Sequence, residues 1–171
     1  MTLTHFNWQV PNQHDTRLSY CYNTPAGQLS LYLQGKVLCK TEWLTASSTP
    51  ALPSLPEELQ AQINACWLSL KAEITLPLST QGTAFQHAVW SALRQIPIGQ
   101  TRTYGELAKE LNTSPRALAN ACRRNPFPLI IPCHRVLSKT GIGGYAGAIT
   151  GKLIAIKTAL LQYEKIISHE L

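Results

Sequence analysis

The sequence has no CxxC pair among its five cysteines, at positions 21, 39, 66, 122 and 133. An odd, widely spaced set argues against a disulfide framework or a zinc knuckle. It argues for a reducing compartment, so the expected location is the cytoplasm. His5, His14, His87 and His169 lack metal-ligand spacing, and no metal is expected. No apolar run approaches the roughly 20 residues of a membrane span, so no membrane partner is expected. The start, MTLTHFNWQV, has no basic stretch leading into an apolar one and does not read as a secretory signal. Internal repeats and low-complexity tracts are missing as well. Carboxylates are scarce beyond residue 80, where only Glu106, Glu110, Glu164 and Glu170 occur.

What is present suits a packed globule: 44% hydrophobic and 14% charged residues in 171, enough for one domain or a small domain plus a lobe. The charge is uneven. Residues 1–80 hold four Lys/Arg against five Asp/Glu, while residues 81–171 hold eleven against four, so the second half alone carries +7 of a net +6. Two readings stay open, a solvated basic face or a polyanion partner, most simply nucleic acid.

The first fifty residues read as strands. Leu18, Tyr20 and Tyr22, then Leu29, Leu31 and Leu33, alternate between the turn signals Pro25-Ala26-Gly27 and Gln34-Gly35, the pattern of a β-meander. Residues 46–56 are Pro/Ser-rich and read as a loop. Leu59, Ile63, Cys66, Trp67 and Leu70 recur at helical spacing after Pro56. ITLPLSTQG, residues 74–82, reads as a linker between lobes. The second half reads as helices. Thr83 is a plausible N-cap, and Phe85, Val89, Leu93 and Ile96 share a face. Thr103 with Glu106 forms a capping-box pattern, and Ser114-Pro115 opens a further short helix. Helix, turn, helix over about 103–124 is the outline of a helix-turn-helix, or of an ordinary αα-hairpin. On the second of these helices Leu118 and Cys122 face inward, and Arg116, Ala117, Asn120, Ala121 and Arg123 lie toward the other side. The chain thus reads as α+β, with residues 1–80 an N-terminal lobe and residues 81–171 a mainly helical C-terminal domain.

NPFPLIIPCHRVL, residues 125–137, reads as a buried apolar strand, Leu129-Ile130-Ile131, that ends through Pro132 on Cys133. A thiol becomes a nucleophile as its thiolate, and His134 and Arg135 are the residue types that lower a thiol pKa. Adjacent side chains diverge, however, so Cys133 and His134 can communicate only through a turn or a bridging water. A nucleophile and base need an orienting carboxylate, and Glu164 is the best placed of the four available. The other reading of Cys133 is a buried core cysteine. GIGGYAGAITG, residues 141–151, lacks the GK[ST] ending of a phosphate loop. It reads as a wall or lid over the thiol that presents Tyr145, or as an inert surface loop.

These segments together resemble the O6-alkylguanine-DNA alkyltransferases, the methylated-DNA–protein-cysteine methyltransferases. The resemblance rests on GTAFQHAVWSALRQIPIGQTRTYGELAKEL, PRALANACRRNPFPLIIPCHRV, GYAGA and IKTALLQYE, and covers roughly residues 82–164. It implies a ribonuclease H-like N-terminal lobe and a DNA-binding helix-turn-helix in the minor groove. It implies single-turnover, irreversible transfer of an alkyl group from O6-alkylguanine, with O4-methylthymine as a further substrate, to Cys133. The base is flipped out first, and the protein acts without cofactor, as a monomer, nucleoid-associated in a bacterium. It implies that His134 deprotonates Cys133 through a water, that Glu164 holds His134, and that Tyr104 contacts the flipped base at N3. Asn125, Val136, Tyr145 and Ala146 would form the base pocket, with Asn125 bracing the turn between the recognition helix and the active-site strand and the backbone carbonyls of Cys133 and Val136 reading the exocyclic amine. Arg116 would be the finger replacing the extruded nucleotide, with Ala117, Ala121, Arg123 and Arg135 also at the DNA. Against the family pattern, Ala119-Asn120 stands where a glycine is common, YAGA replaces YAGG, and the stretch before Lys157 is a few residues longer. Rival readings are a non-catalytic binder of damaged DNA, a thiol hydrolase, and an alkylation-switched activator.

Overall fold

In the computed structural model, residues 6–45, 51–68 and 74–169 are described. Three strands, β2 (Arg17–Thr24), β3 (Gly27–Gln34) and β4 (Val37–Trp43), form the antiparallel meander. Gly35 makes the tight β3–β4 turn at φ +58°, a left-handed conformation that costs glycine little. Two further strands, β1 (Phe6–Gln9) and β5 (Ile74–Ser79), complete a sheet of order β1-β5-β4-β3-β2.

The supposed linker at 74–82 is therefore corrected: most of it is an interior strand, parallel to β1 on one side and to β4 on the other. Leu76 and Leu78, two residues apart as on one face of a strand, are both buried. Pro77 disguised it, because proline withholds a ladder hydrogen bond. Consistently, β4 and β5 pair only at Leu38 and Leu78. Leu29, Leu31, Leu38 and Leu78 are wholly buried, each worth roughly 1.5–3 kcal/mol of stabilisation. Helix α1 (Glu57–Leu68) lays Ile63, Cys66 and Trp67 into this core. The expected continuation of that face to Leu70, and the loop at 46–50, lie outside the described residues.

In the second half, α2 (Ala84–Arg94) starts at Thr83 with a full capping box to Gln86. Its buried face is Val89, Trp90 and Leu93, continued by Ile96; Phe85, expected on it, is 39% exposed. Strand β6 (Arg102–Thr103) leads into α3 (Tyr104–Glu110), capped by Thr103 and Glu106. Ser114 caps α4 (Pro115–Arg123), with Pro115 in its first turn. The Trp90 indole donates to the Ala121 carbonyl at 3.0 Å and fixes α2 against α4. A short β7 (Val136–Leu137) pairs with β6, and α5 (Lys152–Ser168) closes the chain. Among the described residues, no helix is long and apolar enough to cross a membrane.

Candidate active site

The segment leading to Cys133 is not the strand that its apolar run predicts. Pro126, Pro128 and Pro132 each lack a backbone donor, and Leu129 adopts φ +79°, so the backbone turns tightly instead of pairing. A non-glycine residue there costs about 1–3 kcal/mol, offset by complete burial of Phe127, Leu129, Ile130 and Ile131. Asn125 holds the turn together. Its Oδ1 accepts from Phe127 N at 2.9 Å, and its Nδ2 donates to Ile131 O at 2.8 Å and to Cys133 Sγ at 3.3 Å. Strand β4 adds two bonds, from Thr41 N to Pro126 O and from Thr41 Oγ1 to Pro128 O, both 2.9 Å.

Cys133, His134 and Arg135 form one 3-10 turn, and all three side chains are buried. No hydrogen bond joins the imidazole to the thiol among the described residues. His134 Nε2 lies 2.7 Å from Glu164 Oε1 on α5, and its Nδ1 is buried with no hydrogen-bond partner among the described residues. Arg135 donates through Nε to Glu164 Oε2 and through Nη2 to Oε1, both at 2.8 Å, and to the carbonyls of Ile96 and Trp67. Burial would raise the Glu164 carboxyl, but His134 and Arg135 outweigh it and hold the group down to about 2. Burial depresses the His134 imidazole, against the pull of Glu164. An ionised Glu164 can only accept a hydrogen bond, so a neutral His134 carries its proton on Nε2, which leaves the lone pair on Nδ1. Burial pushes the Cys133 thiol up, opposed by the Asn125 hydrogen bond and the charge of Lys157.

Above the thiol lies a cavity of about 270 Å³, walled by Tyr104, Asn120, Cys133, Tyr145 and Ala146, with Arg123 at its rim. It is just below the roughly 300–1,000 Å³ range of drug-sized ligands, a fit for something smaller. Tyr104, its phenol kept protonated by burial, sits 3.4 Å through its hydroxyl from Gly144 O. Tyr145 is 3% exposed and meets the His134 ring edge-on at 6.5 Å.

The remaining residues singled out from the sequence divide sharply. Arg116 and Arg123 are exposed and Ala117 is half-buried on α4. Ala121 is 2% exposed and faces α2, so it cannot meet DNA; the helix turns it inward with Cys122. Arg135 is 3% exposed and spent on Glu164, so its assignment to DNA is corrected too. Asn125 and Val136 do not line the cavity: Asn125 braces the thiol from behind, and Val136 is fully buried with its carbonyl accepting from Lys157 Nζ at 2.6 Å.

Lys157 had no sequence signal beyond its place in the IKTALL segment. Its buried ammonium also donates to Ile142 O at 2.6 Å and Gly144 O at 3.0 Å, pinning the glycine-rich loop to β7. Burial pulls it down to about 8, against the two nearby thiols Cys133 and Cys122.

Comparison with known proteins points one way. A family model described as the 6-O-methylguanine DNA methyltransferase DNA-binding domain matches residues 84–166. A methylated-DNA–protein-cysteine methyltransferase of Archaeoglobus fulgidus is 38% identical over 123 residues, covering 70% of this chain and 82% of the relative. Its counterpart in Mycobacterium leprae is 36% identical over 152 residues, covering 84% and 89%. Among solved structures, a Mycobacterium tuberculosis OGT crystallised in complex with DNA superposes with a TM-score of 0.66 at 35% identity, covering 86% of this chain and 92% of that one.

Proposed function

The chain belongs to the O6-methylguanine DNA methyltransferase family, and from that premise we propose that it repairs DNA by moving the alkyl group of O6-alkylguanine onto Cys133. The observation that carries this is a base-sized cavity with the Cys133 thiol on its floor and the His134–Glu164 pair behind it. A base inside a duplex cannot reach a buried thiol, so the nucleotide is flipped out, at a cost of a few kcal/mol. His134 Nδ1 takes the thiol proton through a water. Sγ then attacks the carbon on O6 in line with the C–O bond; the S–C bond forms as C–O breaks. The electrons stay on guanine, where the Tyr104 hydroxyl offsets the charge at N3. Glu164 fixes the tautomer and steadies the imidazolium that results. The thioether has no route back, so each molecule acts once.

For DNA contact we read α3 and α4 as a helix-turn-helix in the minor groove, within a catalytic domain of residues 81–171. Arg116 is the finger that fills the gap, with Ala117 permitting close approach and Arg123 at the phosphates. Asn125 acts from behind the thiol, and Tyr145 and Ala146 bound the base. We read residues 1–80 as the ribonuclease H-like lobe, which the meander extended by parallel β5 supports. The protein works as a cytoplasmic monomer on this reading.

The test is duplex DNA carrying radiolabelled O6-methylguanine. Label should move stoichiometrically to the peptide containing Cys133 and stay on the DNA with Cys133→Ser. Label released as a small molecule over repeated turnovers would refute the proposal.

A further inference from the structure

The two halves of the chain meet at one side chain of the pocket wall. Trp43, the last residue of β4, donates its indole N–H to the Tyr145 hydroxyl at 2.7 Å, across 102 residues of sequence. Both side chains are buried, at 5% and 3% exposure. A buried indole N–H needs an acceptor, and a backbone carbonyl would serve as well. Trp90 and Trp67, by contrast, donate to Ala121 O and to Tyr22, neither of which lines the cavity. Trp43 alone among these reaches a residue that lines the cavity above Cys133.

We propose that Trp43 is a positioning residue for the transfer reaction: it fixes the ring and the hydroxyl rotor of Tyr145. The inference rests on the alkyl-transfer reading of the site. A phenol O–H prefers the plane of its ring, with two orientations, and its oxygen accepts where the proton is not. The Trp43 N–H occupies one side of that oxygen, which turns the Tyr145 proton to the other. The same bond holds the ring edge against His134, the base of the proposed reaction. β4 is itself anchored to the thiol segment, since Thr41 bonds Pro126 and Pro128. One strand of the first half therefore holds both the segment that leads to Cys133 and the Tyr145 side chain of the cavity wall. The spacing between thiol and tyrosine is set by β4. Burial keeps the phenol protonated, so it remains a donor at neutral pH. This gives the N-terminal sheet a chemical task beyond packing.

The experiment is a double-mutant cycle read by single-turnover methyl transfer on saturating DNA. Trp43→Phe keeps an aromatic ring and removes the N–H. It should slow transfer within the bound complex about fivefold to tenfold, the worth of one hydrogen bond, with DNA affinity unchanged. Tyr145→Phe should slow it comparably, and adding Trp43→Phe to Tyr145→Phe should slow it less than about twofold further. Equal, additive effects in both backgrounds, or a loss confined to DNA affinity, would overturn the proposal. Hydrogen exchange of the Trp43 indole gives a second reading that needs no Trp43 variant. It should be slow in the native protein and fast in Tyr145→Phe; an unchanged rate would count against the link. If the native protein transfers no label, the functional reading fails, whereas transfer that ignores Trp43 refutes only this inference.

Discussion

Replacing Glu164 by Gln is the sharpest probe of how this site works, because the change keeps the shape and removes one charge. The two carboxylate oxygens face four donors. Oε1 accepts from His134 Nε2 and Arg135 Nη2, and Oε2 from Arg135 Nε, with Gly99 N at 3.5 Å. Whichever way a glutamine amide is turned, its NH₂ meets one of these donor pairs. If it faces Arg135 Nε, a buried guanidinium loses its counter-charge, and breaking such a pair costs about 3–5 kcal/mol. A carboxyl held down to about 2 from its ordinary 4.5 corresponds to a similar size, on the order of 3 kcal/mol. If the NH₂ faces His134 instead, the imidazole must move its proton to Nδ1 to accept at Nε2. That tautomer has no base on Nδ1.

Either orientation should lower the melting temperature, by about 6–20 °C for a chain of this length. The second also removes general-base catalysis, typically worth about 10²–10⁴ in rate. The assay pairs a thermal melt with single-turnover transfer of labelled methyl at a temperature where the variant is folded. A folded Glu164→Gln protein that transfers within about threefold of the native rate would exclude the orientation with the NH₂ toward His134. An unchanged melting temperature would refute the ion-pair argument.

Acid should erode stability in two stages. The depressed His134 means that the unfolded chain takes up a proton first as pH falls below 6.5, and the depressed Glu164 contributes stability above 4.5 that is lost as pH falls toward about 2. Urea unfolding free energies measured from about pH 7.5 to about pH 3 should decline through both windows, and a flat curve would contradict the assignments. Lys157→Met should remove three bonds to carbonyls, at about 3 kcal/mol in total, and free the glycine-rich loop to proteolysis. A loop as resistant as before would show that Lys157 does not hold it. Arg123→Ala should reduce the salt dependence of DNA binding by about one counterion, while Arg135→Lys should lower thermal stability and leave that slope alone. Arg116→Ala should slow transfer more than it weakens binding, measured by single turnover against titration.

Local chemistry was legible in the sequence and long-range pairing was not. The caps at Thr83, Thr103 and Ser114 lie within four residues of the groups they satisfy, so short motifs mark them. The β2–β4 meander follows for the same reason. Strand β5 pairs in parallel with chain far away, and Pro77 removes its one local sign. The run Leu129-Ile130-Ile131 has strand propensity, but its register is set by Asn125 and Thr41, and three prolines prevent a ladder. The family resemblance puts Arg135 at the DNA, but its partner Glu164, 29 residues on, draws it into the core. The scarcity of carboxylates in that half narrowed the choice of a partner for His134, but only the fold could bring α5 to it.

The burial of Cys133 has a chemical consequence that the motif PCHR does not suggest. Flanking His134 and Arg135 would be expected to produce a standing thiolate, the reactive form. Instead Glu164 absorbs the charge of Arg135, His134 is held neutral, and burial keeps the thiol protonated. A thiol in this state reacts poorly with stray oxidants and electrophiles. On the proposed reaction it becomes a nucleophile when its proton leaves toward His134. For a protein that spends its thiol once, reactivity at rest would be waste. The Arg135–Glu164 ion pair and the burial of His134 and Cys133 together prevent it.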